Sequence, residues 1–250
     1  MEVKENTIAS ESHHWYMPDG TPYYTCIGAN GKERPTTLRD ARKVGAVPSV
    51  TTILKQLASP GLERWKLDMA ITSALTLPRI EGETEDEFKG RVEQDWQQTA
   101  NQARELGTAI HGSLELALTI GTYNIAHKPY VDAVLEYLNN FGITWEAEKS
   151  FATHTYGGKV DLYSKSGIVI DFKTTEFTED KLPKGYPEQK LQLAAYAHGL
   201  GLPKDAKLIN LFISTNTPGL IHAIEHIPSS AYEQFDCLLN YWRLSKGLCA

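Results

Sequence analysis

Cysteine is scarce in this chain: Cys26, Cys237 and Cys249 are the three among 250 residues. They are far apart and odd in number, which excludes a disulfide framework or a CxxC metal knuckle and sets the expectation of a reducing, cytoplasmic compartment. Long apolar runs are missing too. No stretch approaches the roughly 18 residues of a membrane span, and the start, MEVKENTIASESHH, lacks the apolar stretch of a signal peptide. Positive charge is not in excess either. The net charge is −6, which does not advertise a nucleic-acid binder. That deficit is local, however. Residues 81–95 hold Glu81, Glu83, Glu85, Asp86, Glu87, Glu93 and Asp95 against Lys89 and Arg91, a net of −5, so the remainder is near −1. The run reads as a solvated helix start, and whole-chain charge says little about any one groove. Repeats and low-complexity linkers are absent. A glycine-rich loop and an Asp-Phe-Gly are absent as well, so IDFK is not a kinase signature.

What is present is an ordinary globular balance, 41% apolar and 22% charged, in a length that suits one large domain. The first 48 residues are rich in turns and aromatics. WYMPDGTPYYT predicts a hairpin turning at Pro-Asp-Gly, and PSVTTILKQL predicts a helix start with Ser49 as its N-cap. From about Gly61 to Gly142 the apolar spacing is helical. From Ile143 the texture changes. TWEAEKSFATH, GKVDLYS and GIVIDFKTT read as three strands, PEQKLQLAAYAHGLG as a helix, KLINLFIST and LIHAIEHI as a hairpin, and SAYEQFDCLLNYWRLSKG as a closing helix. The fold class expected is α/β (α+β): a mixed β-sheet core flanked by helices, with the helical N-terminal half as a wall or arch. Residues 1–142 and 143–250 would be two parts of a single domain.

Two of those strands carry an aspartate in an apolar setting, Asp161 and Asp171, and Lys173 follows the second. Residues two apart on a strand share a face, so Asp171 and Lys173 point together while Phe172 points into the core. Two carboxylates meeting on adjacent strands repel at a cost of several kcal/mol. A divalent cation removes that cost, and hard oxygen ligands suit Mg2+ or Mn2+. The lysine would then stabilise developing negative charge or orient a water, the equipment of metal-assisted phosphodiester hydrolysis. An isolated Asp-x-Lys at a strand end is more often an exposed ion pair.

The set GGKVDLY, GIVIDFKTT and QKLQLAAYA resembles the PD-(D/E)XK nuclease superfamily in its RecB-type exonuclease branch. That motif, Asp, then Asp-x-Lys, then Gln-x-x-x-Tyr, falls on Asp161, Asp171, Lys173, Gln192 and Tyr196. GTAIHGSLE is similar to the branch's helix with a metal-binding histidine and puts His111 in that place. PSVTTILKQL with LERW is similar to the opening segment of phage and mitochondrial-genome-maintenance exonucleases. The resemblance covers most of residues 48–200 and implies a restriction-endonuclease-like core. It also implies a Mg2+/Mn2+-dependent deoxyribonuclease with catalytic Lys173, Asp161, Asp171, Gln192 and Tyr196. His111, Asp161, Asp171 and the Phe172 backbone carbonyl would hold the metal. Some relatives carry a four-cysteine iron–sulfur cluster; three scattered cysteines make none expected here.

Further candidates rest on spacing. Gly107 would let its helix approach the sheet. Glu115, one turn beyond His111, could orient the imidazole or sit at the surface. Glu148 is a candidate metal ligand on the first strand, with Glu146 on the same strand face as its rival. Gln189 fits the amide position less well than Gln192. His13, His14 and His127 read as surface or structural. For DNA, Arg64, Trp65, Lys184, Tyr186 and Lys190 are candidates for stacking and charge, and Ser49, Thr51 and Thr52 for holding a phosphate. Trp65 could equally be core. The function expected is an exonuclease hydrolysing DNA from a free end, on single strands or resected duplex ends in recombination, repair or replication. A flap or branch endonuclease and a non-catalytic nucleic-acid-binding subunit are the alternatives. The expected partners are DNA and a recombinase or single-strand-binding protein, with no membrane, in the cytoplasm, or the host cytoplasm for a phage-encoded chain.

Overall fold

The runs Ile168–Ile170 and Leu208–Ile213 are rich in apolar and β-branched residues and buried on both faces, which dictates central strands. In the computed structural model, which describes residues 14–248, they are the middle of a five-stranded sheet. His13 and Cys249 lie outside those residues. In chain order the elements are β1 (Trp15–Tyr16), β2 (Thr25–Ile27), β3 (Glu33–Pro35), α1 (Leu38–Val44), β4 (Val47–Pro48), α2 (Val50–Leu54), α3 (Pro60–Thr76) and α4 (Glu85–Ile120). Then follow α5 (Lys128–Asn139), β5 (Glu146–Ala152), β6 (Gly157–Ser164), β7 (Ile168–Thr175), α6 (Pro187–Gly199), β8 (Lys207–Ser214), β9 (Ile221–His226) and α7 (Ala231–Ser245).

The large sheet runs β5-β6-β7-β8-β9. Its pairs are antiparallel except β7 with β8, which the α6 crossover makes parallel. The molecule is thus a mixed α/β fold with helices on both faces. One face carries Val169 and Leu208 against α2, α6 and α7, with Phe235 and Trp242 fully packed. The other carries Ile168, Ile170, Phe172 and Ile209 against Ile110 and Leu114 of α4 and Val131 and Val134 of α5. Each such aliphatic side chain contributes roughly 1.5–3 kcal/mol by leaving water.

Three expectations change. The Pro-Asp-Gly turn forms, closed by Gly20 N–H to Met17 C=O at 2.8 Å. Its second strand is a single bridge, Tyr16 with Pro22, because Pro22 has no N–H to extend a ladder; β1 pairs instead with β4. Residues 15–54, part of the N-terminal half expected to stand beside the sheet, share a core with α6 and α7 through Trp15, Val50 and Ile53. The helical half is likewise more than a wall. The C-terminal third of α4 is itself a layer on the sheet, and the rest runs outward with α3 beside it. At 1.5 Å per residue α4 is about 54 Å long. Thr84 and Glu87 form its capping box, and Gly121, at φ 72°, ends it. Among the described residues no helix is long and apolar enough to cross a membrane.

Candidate active site

β6 and β7 stop pairing at Leu162 and Ile170. The next step in that register would set Asp161 opposite Asp171, so the two acids stand where the strands fork. A carboxylate there has work to do: Asp161 Oδ2 accepts the Phe172 backbone N–H at 2.8 Å, a donor the opened ladder leaves free. The break extends to β5. Glu146 and Ala147 pair with Tyr163 and Leu162, and Lys149 pairs with Val160, but Glu148 and Asp161 are skipped. Glu148 is a non-glycine residue at φ 56°, a strained conformation of the kind that persists where surroundings enforce it. Side-chain alternation shifts at the break, so that Val160 and Tyr163, three apart, enter the same core.

Asp171 is 3% exposed and accepts three hydrogen bonds. Its Oδ2 accepts from Lys173 Nζ at 2.7 Å and from Asn210 Nδ2 at 2.9 Å, and its Oδ1 from Gln192 Nε2 at 3.0 Å. Gln192 spends its whole amide here. Its oxygen faces Lys173 Nζ at 3.4 Å, and its second N–H faces Tyr196 Oη at 3.0 Å. The i, i+4 spacing of Gln192 and Tyr196 on α6 permits this. Gly158 makes room for Tyr196: a Cβ there would stand 2.7 Å from the ring.

The electrostatics follow from burial. Burial raises Asp161 above the usual carboxylate range, and Asp171 across the fork raises it further. Burial alone would lower the Lys173 ammonium, but Asp171 outweighs it and holds the group above its ordinary value. Burial depresses His111, keeping the imidazole neutral, the form that ligates metals. Its ring stands edge-on to Phe172 at 6.2 Å between centroids. Burial pushes Glu148 up to about 7, against the opposing pull of Lys159.

The structure brings together Asp161, Asp171, Lys173, Gln192 and Tyr196, with His111 and Glu148 at the margin. It separates the two acids of β5. Glu148 pairs with Lys159, whereas Glu146 turns away to Tyr163 Oη at 2.7 Å and Lys165 at 2.9 Å. Glu115 does not hold the His111 ring; its carboxylate faces Lys159 at 3.7 Å. Gly107 does what its helix requires, since a Cβ there would stand 2.5 Å from Thr174 Oγ1 on β7. Gln189 is buried and accepts the Tyr186 N–H at 2.9 Å, capping α6. His127 takes a hydrogen bond with Ser113 Oγ at 2.7 Å, and His14 stacks on Tyr24 at 4.3 Å.

The DNA candidates divide. Ser49 and Thr52 are buried and bonded to each other at 2.9 Å, with Ser49 capping α2, so neither hydroxyl faces outward; Thr51 is half-buried. Trp65 is not core: it is 41% exposed on α3 with Arg64, and Leu67, Ile71 and Leu75 are exposed there too. Tyr186 is exposed, its ring lying against Gly61 at the root of α3, and Lys184 is exposed while Lys190 is half-buried. Sequence reasoning missed Lys159, Asn210, His226 and the hydrogen-bonded pair Tyr16–Tyr24 (2.6 Å between hydroxyls). Asn210 carried a signal, an amide inside KLINLFIS, the same anomaly as Asp171 in IVIDFK.

For a divalent cation the donor chemistry fits: two carboxylates at an opened fork and a neutral imidazole at their margin. Among the described residues no group of three or more His, Cys, Asp or Glu side chains stands close enough together to hold a metal ion. No family model and no curated protein matches the chain. A solved structure described as the crystal structure of SSO0001 aligns with 71% of this chain and 86% of its own, at 17% identity and a TM-score of 0.28. A likeness of that size decides nothing about fold or activity.

Proposed function

We propose that this chain is a metal-dependent deoxyribonuclease with a restriction-endonuclease-like core, acting as an exonuclease from a free DNA end. The observation that carries this reading is that Asp161 and Asp171 each stand one residue beyond the last β6–β7 pair, with Lys173 2.7 Å from Asp171. The two aspartates, His111 and the Phe172 carbonyl would hold Mg2+ or Mn2+, with Glu148 beside them. Such an ion supplies a bound water of lowered pKa and neutralises charge on the scissile phosphate. Lys173 is the cation bonded directly to Asp171. Released from Asp171 toward the reacting phosphate, its ammonium stabilises charge as it develops. Gln192 holds both Asp171 and Lys173 in place, and Tyr196 steadies Gln192. The α3–α4 arm, with Arg64 and Trp65 exposed and Tyr186 at its root, is the wall against which a strand would lie.

End-labelled linear single-stranded DNA and a covalently closed circle test the proposal, each with Mg2+, Mn2+ or EDTA. The expected result is metal-dependent loss of the linear substrate alone. Cutting of the circle moves the assignment to an endonuclease. No cutting of either, with DNA still bound, overturns the enzymatic reading in favour of a binding subunit.

A further inference from the structure

Asp171 has a line of support on the side away from Lys173. The parallel register sets Asn210 of β8 directly beside Asp171 of β7. The antiparallel register sets Asn210 opposite Ile224 of β9, which makes His226, two residues on, its diagonal neighbour on the same face. The side chains use that layout. Asn210 Nδ2 donates to Asp171 Oδ2 at 2.9 Å, and His226 Nε2 lies 2.7 Å from Asn210 Oδ1. Asn210 is fully buried in a strand of apolar residues, a costly place for an amide with no task.

The chemistry fixes each orientation. An ionised carboxylate only accepts, so the amide must turn its NH2 to Asp171. Its oxygen therefore faces His226, which must donate from Nε2. Three of the roughly four acceptor positions of Asp171 are then taken, by Lys173, Asn210 and Gln192. The free position lies on Oδ1, because Asn210 and Lys173 share Oδ2.

We infer that Asn210 is a positioning residue for the Asp171 carboxylate, and that His226 fixes Asn210. Together they turn the open acceptor of Asp171 toward the cation before it binds. This inference rests on the metal-centre reading above. It assigns a role to two residues outside that centre, one on the neighbouring strand and one on the edge strand.

Mn2+ binding to the full chain, read by titration calorimetry without DNA, tests it. The proteins compared are wild type, Asp161→Asn, Asn210→Leu, His226→Leu and His226→Gln. Asn210→Leu is expected to weaken binding roughly 10- to 100-fold, and His226→Leu roughly tenfold. Leucine and glutamine fill similar space, but glutamine keeps an N–H within reach of Asn210, so His226→Gln is expected to stay within about threefold of wild type. A merely structural role would not separate the two His226 variants. If Asn210→Leu fails to fold by circular dichroism, the His226 pair decides alone. Wild-type affinity in both leucine variants, with binding lost in Asp161→Asn, overturns this inference and leaves the metal centre standing. No binding by wild type, or unchanged binding in Asp161→Asn, overturns the metal centre and this inference with it.

Discussion

Glu83 and Arg91 show at the scale of single residues how little the acidic run 81–95 behaves as one patch. Most of its carboxylates are solvated, but the Glu83 side chain is 5% exposed and sits 2.6 Å from Arg91 Nε. Arg91 also donates to the Pro78 carbonyl at 2.8 Å, and Arg79 covers the Phe88 ring at 3.8 Å. The Arg91 hydrogen bonds hold Glu83 down, at about 2 against an ordinary 4.5. A carboxylate depressed in the folded state adds stability above its ordinary pKa and loses it as the pH falls through the folded value. The melting temperatures of wild type and Arg91→Met should therefore differ fully at pH 6 to 7. The gap should narrow as the pH falls from 4.5 toward 2. A gap independent of pH would mean that Arg91 acts by packing alone. At the site, legibility divided by residue type. Asp161, Asp171 and Lys173 were readable because charge in a buried strand is anomalous. Glu148 could not be told from Glu146, because the strand break that separates them lies in backbone geometry and not in residue type.

At the scale of elements, the approach of α4 to β7 sets where His111 sits. Glycine in mid-helix costs about 1 kcal/mol relative to alanine, so Gly107 needs a reason, and Thr174 Oγ1 at 2.5 Å from a built Cβ supplies it. Overpacking costs about 1–3 kcal/mol, which offsets or exceeds the gain in helix propensity. Gly107→Ala is expected to lower stability by up to about 2 kcal/mol in chemical denaturation. Gly107→Ala combined with Thr174→Ala should recover it, because the obstructing hydroxyl is gone and the propensity gain remains. Failure of the double variant to recover would place the strain elsewhere. Helices and central strands were legible because period 3.6 and β-branched runs are local signals. The pairing of β1 with β4 was not, since two residues that meet two others across some thirty positions leave no periodicity. The exposure of Trp65 was equally hidden: an apolar residue on a projecting helix has the same spacing as one in a core.

At the scale of the whole molecule, the fork between β6 and β7 is where the layers meet. Gln192 and Tyr196 come from α6 on one face, and His111 from α4 on the other. The projecting length of α4 and the exposed α3 start from the same end of the sheet. A chain with this arrangement has a half-buried Asp161 beside a buried Asp171, a half-buried Lys173 bonded to the latter and a wall beside them, which is why hydrolysis of DNA is the central claim. The most direct measurement is the initial rate of nucleotide release from one end-labelled linear DNA at saturating Mn2+, for wild type against Lys173→Ala confirmed as folded. The account predicts a fall of at least about 10²-fold, the scale of removing a charge-stabilising donor. A variant that releases nucleotides at the wild-type rate would contradict it.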